Sequence, residues 1–403
     1  MATRTRVISQ NKAVYVTPTG WGEYAEAGTP LTGNSFVTGH HLHRVDTFSF
    51  EMDLAGARQD VREFGQLARI GTVNLTEVNP TLSFGYFLGD GENELALGFS
   101  KSTNSNKFQM ASGQLKEDDI LKERNVFLLT VEEGEDAFNL EDSTMEANED
   151  NHDVVGFGNC FISSYSANFS VGEIPRADVE MQASNVVFYT GLNSGLINPS
   201  LNLEGERTHT GAVKLPAPSS DTATLPLVLR PQDVTISFAD GEDGVAPIGG
   251  PTFSDLPIQS ASIELPLARE VIEALGNELA YAKLLEFPID VTMSISSLTR
   301  DFASGALEYA LTGTAENNKT NITLDIKEEG TSKIKYILSG AVLDNQSFSQ
   351  GLDDNETVDL TFSAQIGGAS TTDQGLFFFP SASYPTYNVV SGANNKVAAQ
   401  PIS

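Results

Sequence analysis

Three neighbouring histidines, His40, His41 and His43, are the residues of this chain best placed to do chemistry. Imidazole nitrogens at such a spacing can ligate a metal ion. No cysteine accompanies them, and no carboxylate lies closer along the chain than Asp46. We therefore predict a polar loop that leads into a strand at Phe48, with metal binding as the less favoured alternative.

A second candidate is the acidic tract from Glu132 to Asp153, which has ten carboxylates and no lysine or arginine. Carboxylate oxygens are calcium ligands, but the tract lacks the central glycine and closing glutamate of an EF-hand loop. We interpret it as a solvated loop and predict no metal site there.

Catalytic signatures are missing from the chain. It contains no phosphate-binding glycine loop of the P-loop or dinucleotide type and no nucleophile-elbow motif. The single cysteine, Cys160, precedes Phe161 and Ile162, which indicates a buried apolar position and excludes an intrachain disulfide. We predict no enzyme activity, no catalytic residue and no cofactor.

Composition narrows the possible partners. The 403 residues include 54 acidic and 24 basic side chains, a formal charge of −30. Nucleic-acid binding depends on lysine and arginine replacing condensed counterions, so this surface repels nucleic acid. Solubility and colloidal stability explain the same charge equally well. We expect no signal peptide, because the first residues have no apolar core, and no membrane partner, because no apolar run approaches about 20 residues.

Most of the chain has the pattern of β-strands. β-Branched and aromatic residues next to turn residues predict the strands at 13–16, 81–88, 125–131, 185–189, 233–238 and 290–296. Strands at 322–326 and 333–338 flank Glu328-Glu329-Gly330, which predicts a hairpin. Helical spacing of apolar residues occurs at 57–68 and 267–279, where Gly65 and Gly276 are candidate C-caps.

The two halves of the chain repeat each other. Ser49–Leu54 is echoed by Ser262–Leu267, and Phe169–Gly172 by Phe348–Gly351. The candidate equivalent positions, in the same order in both halves, are Gly65 and Gly276, Pro80 and Pro288, and Gly172 and Gly351. A duplicated domain in an acidic chain favours self-assembly over catalysis.

The repeats predict three segments. Residues 1–190 form the first copy, which carries the acidic tract 132–153 as an insertion. Residues 191–224, rich in Pro, Ser, Asn and Gly, form a linker with a short hairpin at 201–213. Residues 225–403 form the second copy, whose tail after Gly367 is an arm that packs or stays mobile.

Several segments of the first copy resemble the major tail proteins of long-tailed bacteriophages. They are Arg6–Val16, Arg58–Gly65, Pro80–Phe84, Asn159–Ser166 and Ser170–Ala177. The resemblance implies a mainly β fold with few helices: two tandem tail-tube β-sandwich or barrel domains, each flanked by one α-helix. It also implies a long loop or hairpin that reaches a neighbouring domain.

Proteins of this family stack as rings around the channel through which the genome passes. The chain is similar to the variant with two fused tube domains, in which three chains form a pseudo-hexameric ring. The expected partners are further copies of itself, the tape measure protein, the tail terminator and tip proteins, and double-stranded DNA that passes without specific binding. The expected location is the virion tail, after assembly in the host cytoplasm.

Two other classes of protein fit the same sequence. One is another virion component, such as a capsid decoration or fibre-associated β-domain, which would stay small and bind capsids. The other is an extracellular calcium-dependent binding or hydrolase module, whose thermal stability would respond to Ca²⁺ or EDTA.

Overall fold

The computed structural model describes most of the strand-forming part of the chain. The described residues are 12–19, 36–53, 58–74, 79–103, 105–115, 122–131, 137, 153–190, 196–201, 205, 212–215, 229–238, 257–276, 280, 282–298, 319–349, 357–368, 371, 373–391 and 393–398. The acidic tract, apart from Ala137 and Asp153, and Gly351 lie outside them.

Eleven strands and two short helices make up what we call the first unit. They are β1 (Lys12–Pro18), β2 (Phe36–Thr38), β3 (His40–His41), β4 (Val45–Glu51), β5 (Arg58–Val61), β6 (Gly71–Asn74), β7 (Thr81–Phe87), α1 (Glu92–Leu97), α2 (Ser112–Leu115), β8 (Arg124–Thr130), β9 (Asp153–Ser170), β10 (Arg176–Gln182) and β11 (Asn185–Thr190).

The remaining elements follow in chain order. Strands β12 (Leu196–Ile197) and β13 (Ala212–Lys214) come first, and a 3₁₀ turn at Pro231–Asp233 precedes the second unit. The second unit consists of β14 (Val234–Phe238), β15 (Ile258–Pro266), β16 (Arg269–Ile272), β17 (Ala282–Leu285), β18 (Asp290–Leu298), β19 (Thr320–Glu328), β20 (Thr331–Ser349), β21 (Thr357–Gln365) and β22 (Gly375–Pro380). Strands β23 (Thr386–Ser391) and β24 (Ala393–Ala398) end the described chain.

The mainly β prediction is confirmed, and the strand pairing repeats between the units. In the first unit β4 pairs with β7, β7 with β10 and β10 with β9, while β9 also pairs with β8 and β11, and β8 with β1. In the second unit β15, β18, β21, β20, β19, β22 and β14 pair in the same pattern. Seven strands of one unit therefore have a counterpart in the other.

The two units join edge to edge into one 15-stranded sheet. The second half of β9 pairs antiparallel with β15, with Ser262 opposite Asn168 and Glu264 opposite Ser166. One continuous apolar core runs beneath both units and contains Phe84 and Tyr165 of the first unit and Met293, Tyr336 and Phe362 of the second.

Alternation along the strands separates this core from a polar face. In β18 the buried residues Val291, Met293 and Ile295 alternate with less buried Thr292 and Ser294. Successive side chains of a strand point to opposite faces, so one face of the sheet is apolar and the other carries Ser, Thr and carboxylates.

The two predicted helices are wrong. Residues 58–74 form the hairpin β5–β6 and residues 269–285 form the hairpin β16–β17. Gly65 and Gly276 lie between the paired strands with φ of +97° and +92°, a left-handed conformation that favours glycine in turns. Helical spacing of apolar residues stabilises a helix only when the stripe is buried, whereas Phe64, Val271 and Leu275 are exposed. The helices α1 and α2 instead both belong to the first unit, between β7 and β8.

Other predictions of local structure are confirmed. The strands predicted at 13–16, 81–88, 125–131, 185–189, 233–238 and 290–296 correspond to β1, β7, β8, β11, β14 and β18. The hairpin around Glu329-Gly330 is β19–β20, with Glu328 opposite Thr331 and positive φ at both turn residues. That conformation at both central residues is typical of a type I′ turn.

Strands of the predicted linker and the last two strands of the C-terminal tail join β2 of the first unit in a separate five-stranded sheet, whereas β22 of the same tail pairs with β20 in the second unit. The order of the five-stranded sheet is β12-β13-β2-β23-β24, in which β13 and β2 are parallel and β2 and β23 antiparallel. The hairpin expected at 201–213 has its described strands at 196–197 and 212–214. Among the described residues, no helix is long and apolar enough to cross a membrane.

Candidate assembly surface

The sheet has two free edges that correspond to its internal junction. In the described residues β4 pairs only with β7, and the second half of β20 pairs only with β21. These strands are the counterparts of β15 and β9, which pair with each other where the units meet. In the described residues, β4 and the second half of β20 therefore expose the same two kinds of strand edge that pair with each other, as β15 and β9, between the units.

Equivalent backbone bonds align the two units residue by residue. The Ala183 N–H donates to the Pro80 carbonyl at 2.8 Å, and the Ile366 N–H donates to the Ile289 carbonyl at 2.9 Å. Pro80 thus corresponds to Ile289, one residue past Pro288. Pro80 directly precedes β7, whereas Ile289 separates Pro288 from β18. Pro288 follows a cis peptide bond.

The remaining repeat positions lie in turns. Gly172, with φ of +86°, sits in the turn between β9 and β10 and has open space around it. Gly65 and Gly276 have nothing within 4 Å of an added Cβ, so backbone conformation and not packing selects glycine there.

The polar face of the sheet is acidic. Its carboxylates, placed by register and alternating burial, are Glu51, Asp178, Glu180, Glu264, Asp290 and Asp359. Arg176 is the only cationic residue in the described strands β4, β7, β9, β10, β15, β18 and β21. Its guanidinium is neutralised by Asp46 at 2.7 Å and by Asp178 at 2.9 Å. The face as a whole is therefore negative.

A buried polar cluster joins the two units beneath the sheet. The hydroxyls of Tyr165 on β9 and Tyr336 on β20 lie 2.7 Å apart. Glu94 of α1 accepts hydrogen bonds from Tyr86 at 3.0 Å and from Tyr165 at 3.3 Å. Burial raises the pKa of Glu94 and of all three tyrosines. Buried hydroxyls and a carboxyl that satisfy one another specify one arrangement of the two units.

Backbone contacts strengthen this junction. The segment after α1 bonds to β22, with the Ser102 N–H donating to the Phe378 carbonyl at 2.7 Å and the Met110 N–H to the Leu376 carbonyl at 2.8 Å. The two units are therefore held by sheet pairing above and by this segment below.

The hairpin of the second unit packs against the first unit. Arg269 of β16 lies 4.7 Å above the Phe161 ring and donates to the Gln114 side chain at 3.1 Å. Lys283 of β17 is buried, and its ammonium donates to Asn79 at 2.9 Å and to Ser184 at 2.7 Å.

The hairpin of the first unit is exposed throughout, and its apolar side chains face solvent. Phe64 and Leu67 near its tip are fully exposed, and Val61, Ile70 and Val73 are about half exposed. An isolated two-stranded hairpin is marginally stable in water, and clustered exposed apolar residues mark interaction sites. This hairpin is thus the candidate arm toward a neighbouring molecule.

The histidines occupy a different environment from the predicted polar loop. His40 and His41 form β3, which pairs with Val16 and Tyr15 of β1, and all three histidines are half-buried. Glu92 at the start of α1 lies 3.6 Å from His40 and 3.7 Å from His43. Sequence reasoning missed Glu92 because only the folded chain brings α1 to β3. Cys160 is buried, which raises the pKa of its thiol and agrees with the apolar position expected.

No protein-family model matches the chain, and no curated protein matches its sequence. Among solved structures, the chain is similar to the SPP1 tail tube determined by solid-state NMR and cryo-EM, with 12% identity and a TM-score of 0.26 over 38% of this chain and 79% of that chain. It is also similar to the tail of an empty GTA particle refined with C6 symmetry, with 10% identity and a TM-score of 0.23 over 34% of this chain and 93% of that chain. Both structures are tail components.

Proposed function

We propose that this chain is a non-enzymatic tail tube protein that polymerises into stacked rings. The observation that carries the proposal is the repeated edge. Strand β9 joins β15 within the chain, and the matching edges of β20 and β4 pair with no further strand among the described residues. Pairing β20 of one chain with β4 of the next repeats the internal junction. Such a head-to-tail contact closes into a ring when the rotation allows it.

The number of chains follows from the resemblance to tail proteins, whose rings have six tube domains. Two units per chain then require three chains, a homotrimeric pseudo-hexamer. Each chain contributes β4, β7, β10, β9, β15, β18, β21 and β20 to the wall. Because barrels of about 16–18 strands already enclose an aqueous channel, a wall built from three such sheets encloses a wider one.

The acidic face lines that channel in this proposal. Its carboxylates are flanked by Ser and Thr across the strands, as Glu180 is by Ser83 and Ser164. DNA carries about one negative charge per 1.7 Å of its axis, so such a wall repels it everywhere and binds it nowhere. The channel would let double-stranded DNA pass during ejection.

The hairpin β5–β6 completes the contact between chains. Its counterpart β16–β17 packs on the preceding unit of the same chain through Arg269 and Lys283. By the same relation, β5–β6 packs on the second unit of the neighbouring chain. That contact covers Phe64 and Leu67, which are fully exposed in the single chain.

The remaining partners in this proposal are those that the resemblance to tail proteins implies. The tape measure protein occupies the channel during assembly, and the terminator and tip proteins cap the tube, all within a virion assembled in the host cytoplasm. The acidic tract 132–153 belongs to the first copy only, so the rim of each ring alternates between decorated and undecorated units.

Cysteine pairs test the edge contact directly. Ser49 corresponds to Glu264 and not to Ser262, so the sequence alignment of these strands was wrong by two residues. Asn345 corresponds to Ser166, because Phe84 and Met293 occupy matching places in the ladders. Since Glu264 lies opposite Ser166, Ser49 should lie opposite Asn345 of the next chain. Opposed residues of antiparallel strands lie about 4.5–5.5 Å apart between Cα atoms, within reach of a disulfide.

The variant Ser49→Cys with Asn345→Cys should form interchain disulfides in assembled protein and give closed covalent trimers on non-reducing gels. The control Glu264→Cys with Ser166→Cys should cross-link within one chain whether or not the protein assembles. A control that cross-links while Ser49→Cys with Asn345→Cys stays monomeric under assembly conditions would refute the proposed edge contact.

A further inference from the structure

We infer that His40, His43 and Glu92 form a binding site for one divalent transition-metal ion, with Zn²⁺ as the best match. Within the described part of the chain, these three residues form the group whose ligand atoms all lie within 4.8 Å of one another. The inference concerns the first unit alone and does not depend on the proposed tube.

The donor set and its spacing fit zinc. Two imidazole nitrogens and one carboxylate form one of the known three-residue zinc sets, with water in the fourth position. In a tetrahedron with bonds of about 2.0–2.1 Å, ligand atoms are about 3.3–3.4 Å apart. The carboxylate oxygens of Glu92 lie 3.6 Å and 3.7 Å from the imidazole Nε2 atoms of His40 and His43, so small side-chain rotations bring them to that spacing.

The fold holds the ligands on two separate elements. His40 lies in β3, where it pairs with Val16 of β1. Asn93 of α1 fixes His43 from both sides, since its side-chain oxygen accepts from the His43 N–H at 2.9 Å and its amide donates to the His43 carbonyl at 2.7 Å. Glu92, next to Asn93, is therefore set opposite the histidines by contacts that involve none of the three ligand atoms.

The surroundings of the site contain charges of both signs. The Nε2 atoms of His40 and His43 both approach the Glu92 carboxylate, so one ion between them can contact all three ligands. Asp90 adds a negative charge beside His43, and Arg44 adds the opposing positive charge. The Arg44 Nε donates to the Phe87 carbonyl at 3.0 Å.

The metal would bind β3 to α1 and so stabilise the part of the first unit that packs on the second. His41 is the neighbour that packs against the site, with its ring 5.0 Å from that of His43 and 5.3 Å from that of Tyr15. Imidazole ligands prefer Zn²⁺ over Mg²⁺ and Ca²⁺, which carboxylate surfaces bind. The site is therefore distinguishable from the general acidity of the chain.

The test uses the metal-free full-length chain in excess Mg²⁺, which occupies unspecific carboxylates. Calorimetric titration with Zn²⁺ should show one ion bound per chain, and Co²⁺ should give the intense visible absorption of a tetrahedral site. Removal of a ligand should weaken Zn²⁺ binding at least about tenfold, since even residues that only orient ligands contribute about 10–100-fold.

The variants are His40→Gln, Glu92→Gln and, as a matched control that is not one of the three ligands, His209→Gln. Circular dichroism checks the fold of each, and Glu92→Gln carries the test if a histidine variant fails to fold, because Glu92 is partly exposed. Loss of stoichiometric binding in the ligand variants and not in His209→Gln supports the site. Absence of Zn²⁺ binding, or binding unchanged in Glu92→Gln, would overturn it.

Discussion

The hairpins β5–β6 and β16–β17 have the same design and opposite surroundings. In both, the last ladder pair encloses nine residues: Val61 faces Gly71, and Ile272 faces Ala282. Gly65 and Gly276 occupy the same place in the two connections. The second hairpin packs on the first unit, whereas the first hairpin has no unit beside it. In the proposed ring, each hairpin of this type packs on a preceding unit, which for β5–β6 belongs to another chain.

Deletion of each hairpin should have the largest effects: on assembly for β5–β6 and on the stability of the monomer for β16–β17. Replacing residues 59–73 with a short turn should abolish tube formation and leave the monomer folded, because the hairpin contributes no buried side chain to its own chain. Replacing residues 270–284 should destabilise the monomer itself, because it removes buried Lys283 from the junction between the units. Electron microscopy and thermal melting measure both effects, and loss of monomer folding in both variants would contradict the distinction.

Substitution of the exposed tip should weaken assembly without affecting stability. Burying a phenylalanine or leucine side chain contributes about 1.5–3 kcal/mol, so Phe64→Ser and Leu67→Ser should each raise the concentration needed for assembly at least about tenfold. Their free energy of unfolding as monomers should stay within about 0.5 kcal/mol of the parent. Light scattering and urea unfolding provide the two readouts, and unchanged assembly would exclude the tip from the interface.

The docked hairpin offers the matching stability test. Lys283→Ala should lower the free energy of unfolding by about 1–3 kcal/mol, because Asn79 and Ser184 lose their buried donor. Thr72 occupies the corresponding position in the exposed hairpin, and Thr72→Ala should have little effect on the monomer. Equal losses in urea denaturation would show that the two hairpins do not differ as described.

The smallest effect concerns the histidines, all of which precede the second unit. His40 and His41 have pKa values lowered from 6.5 to about 3 by burial. Between these values the unfolded chain binds more protons than the folded chain, so stability is complete above pH 6.5 and falls as the pH decreases toward 3. From pH 7 to 6 the loss should be about 0.7 kcal/mol per histidine.

Urea unfolding in EDTA at the two pH values checks this prediction. In the double variant His40→Gln with His41→Gln, the free energy of unfolding should fall less between pH 7 and pH 6, because the contribution of these two histidines is removed. If the free energy of unfolding depends on pH in the same way in the double variant, groups other than His40 and His41 cause the acid sensitivity.

Sequence patterns predicted the strands because alternation such as Val291-Thr292-Met293 reflects a sheet with one buried face. They failed at the hairpins, where apolar residues such as Phe64 and Leu275 have helical spacing but are exposed. Sequence patterns also could not predict that Glu92 lies beside His40 and His43, because this depends on how β3 and α1 pack after folding. Local order was therefore predictable, while features that depend on residues distant in the sequence were not.

Electron microscopy of the assembled protein directly tests whether β20 of each chain pairs with β4 of the next. We expect tubes with a central channel, rings of three chains and rim features that alternate around the ring. Rings of six chains, or a protein that stays monomeric at high concentration, would contradict this expectation.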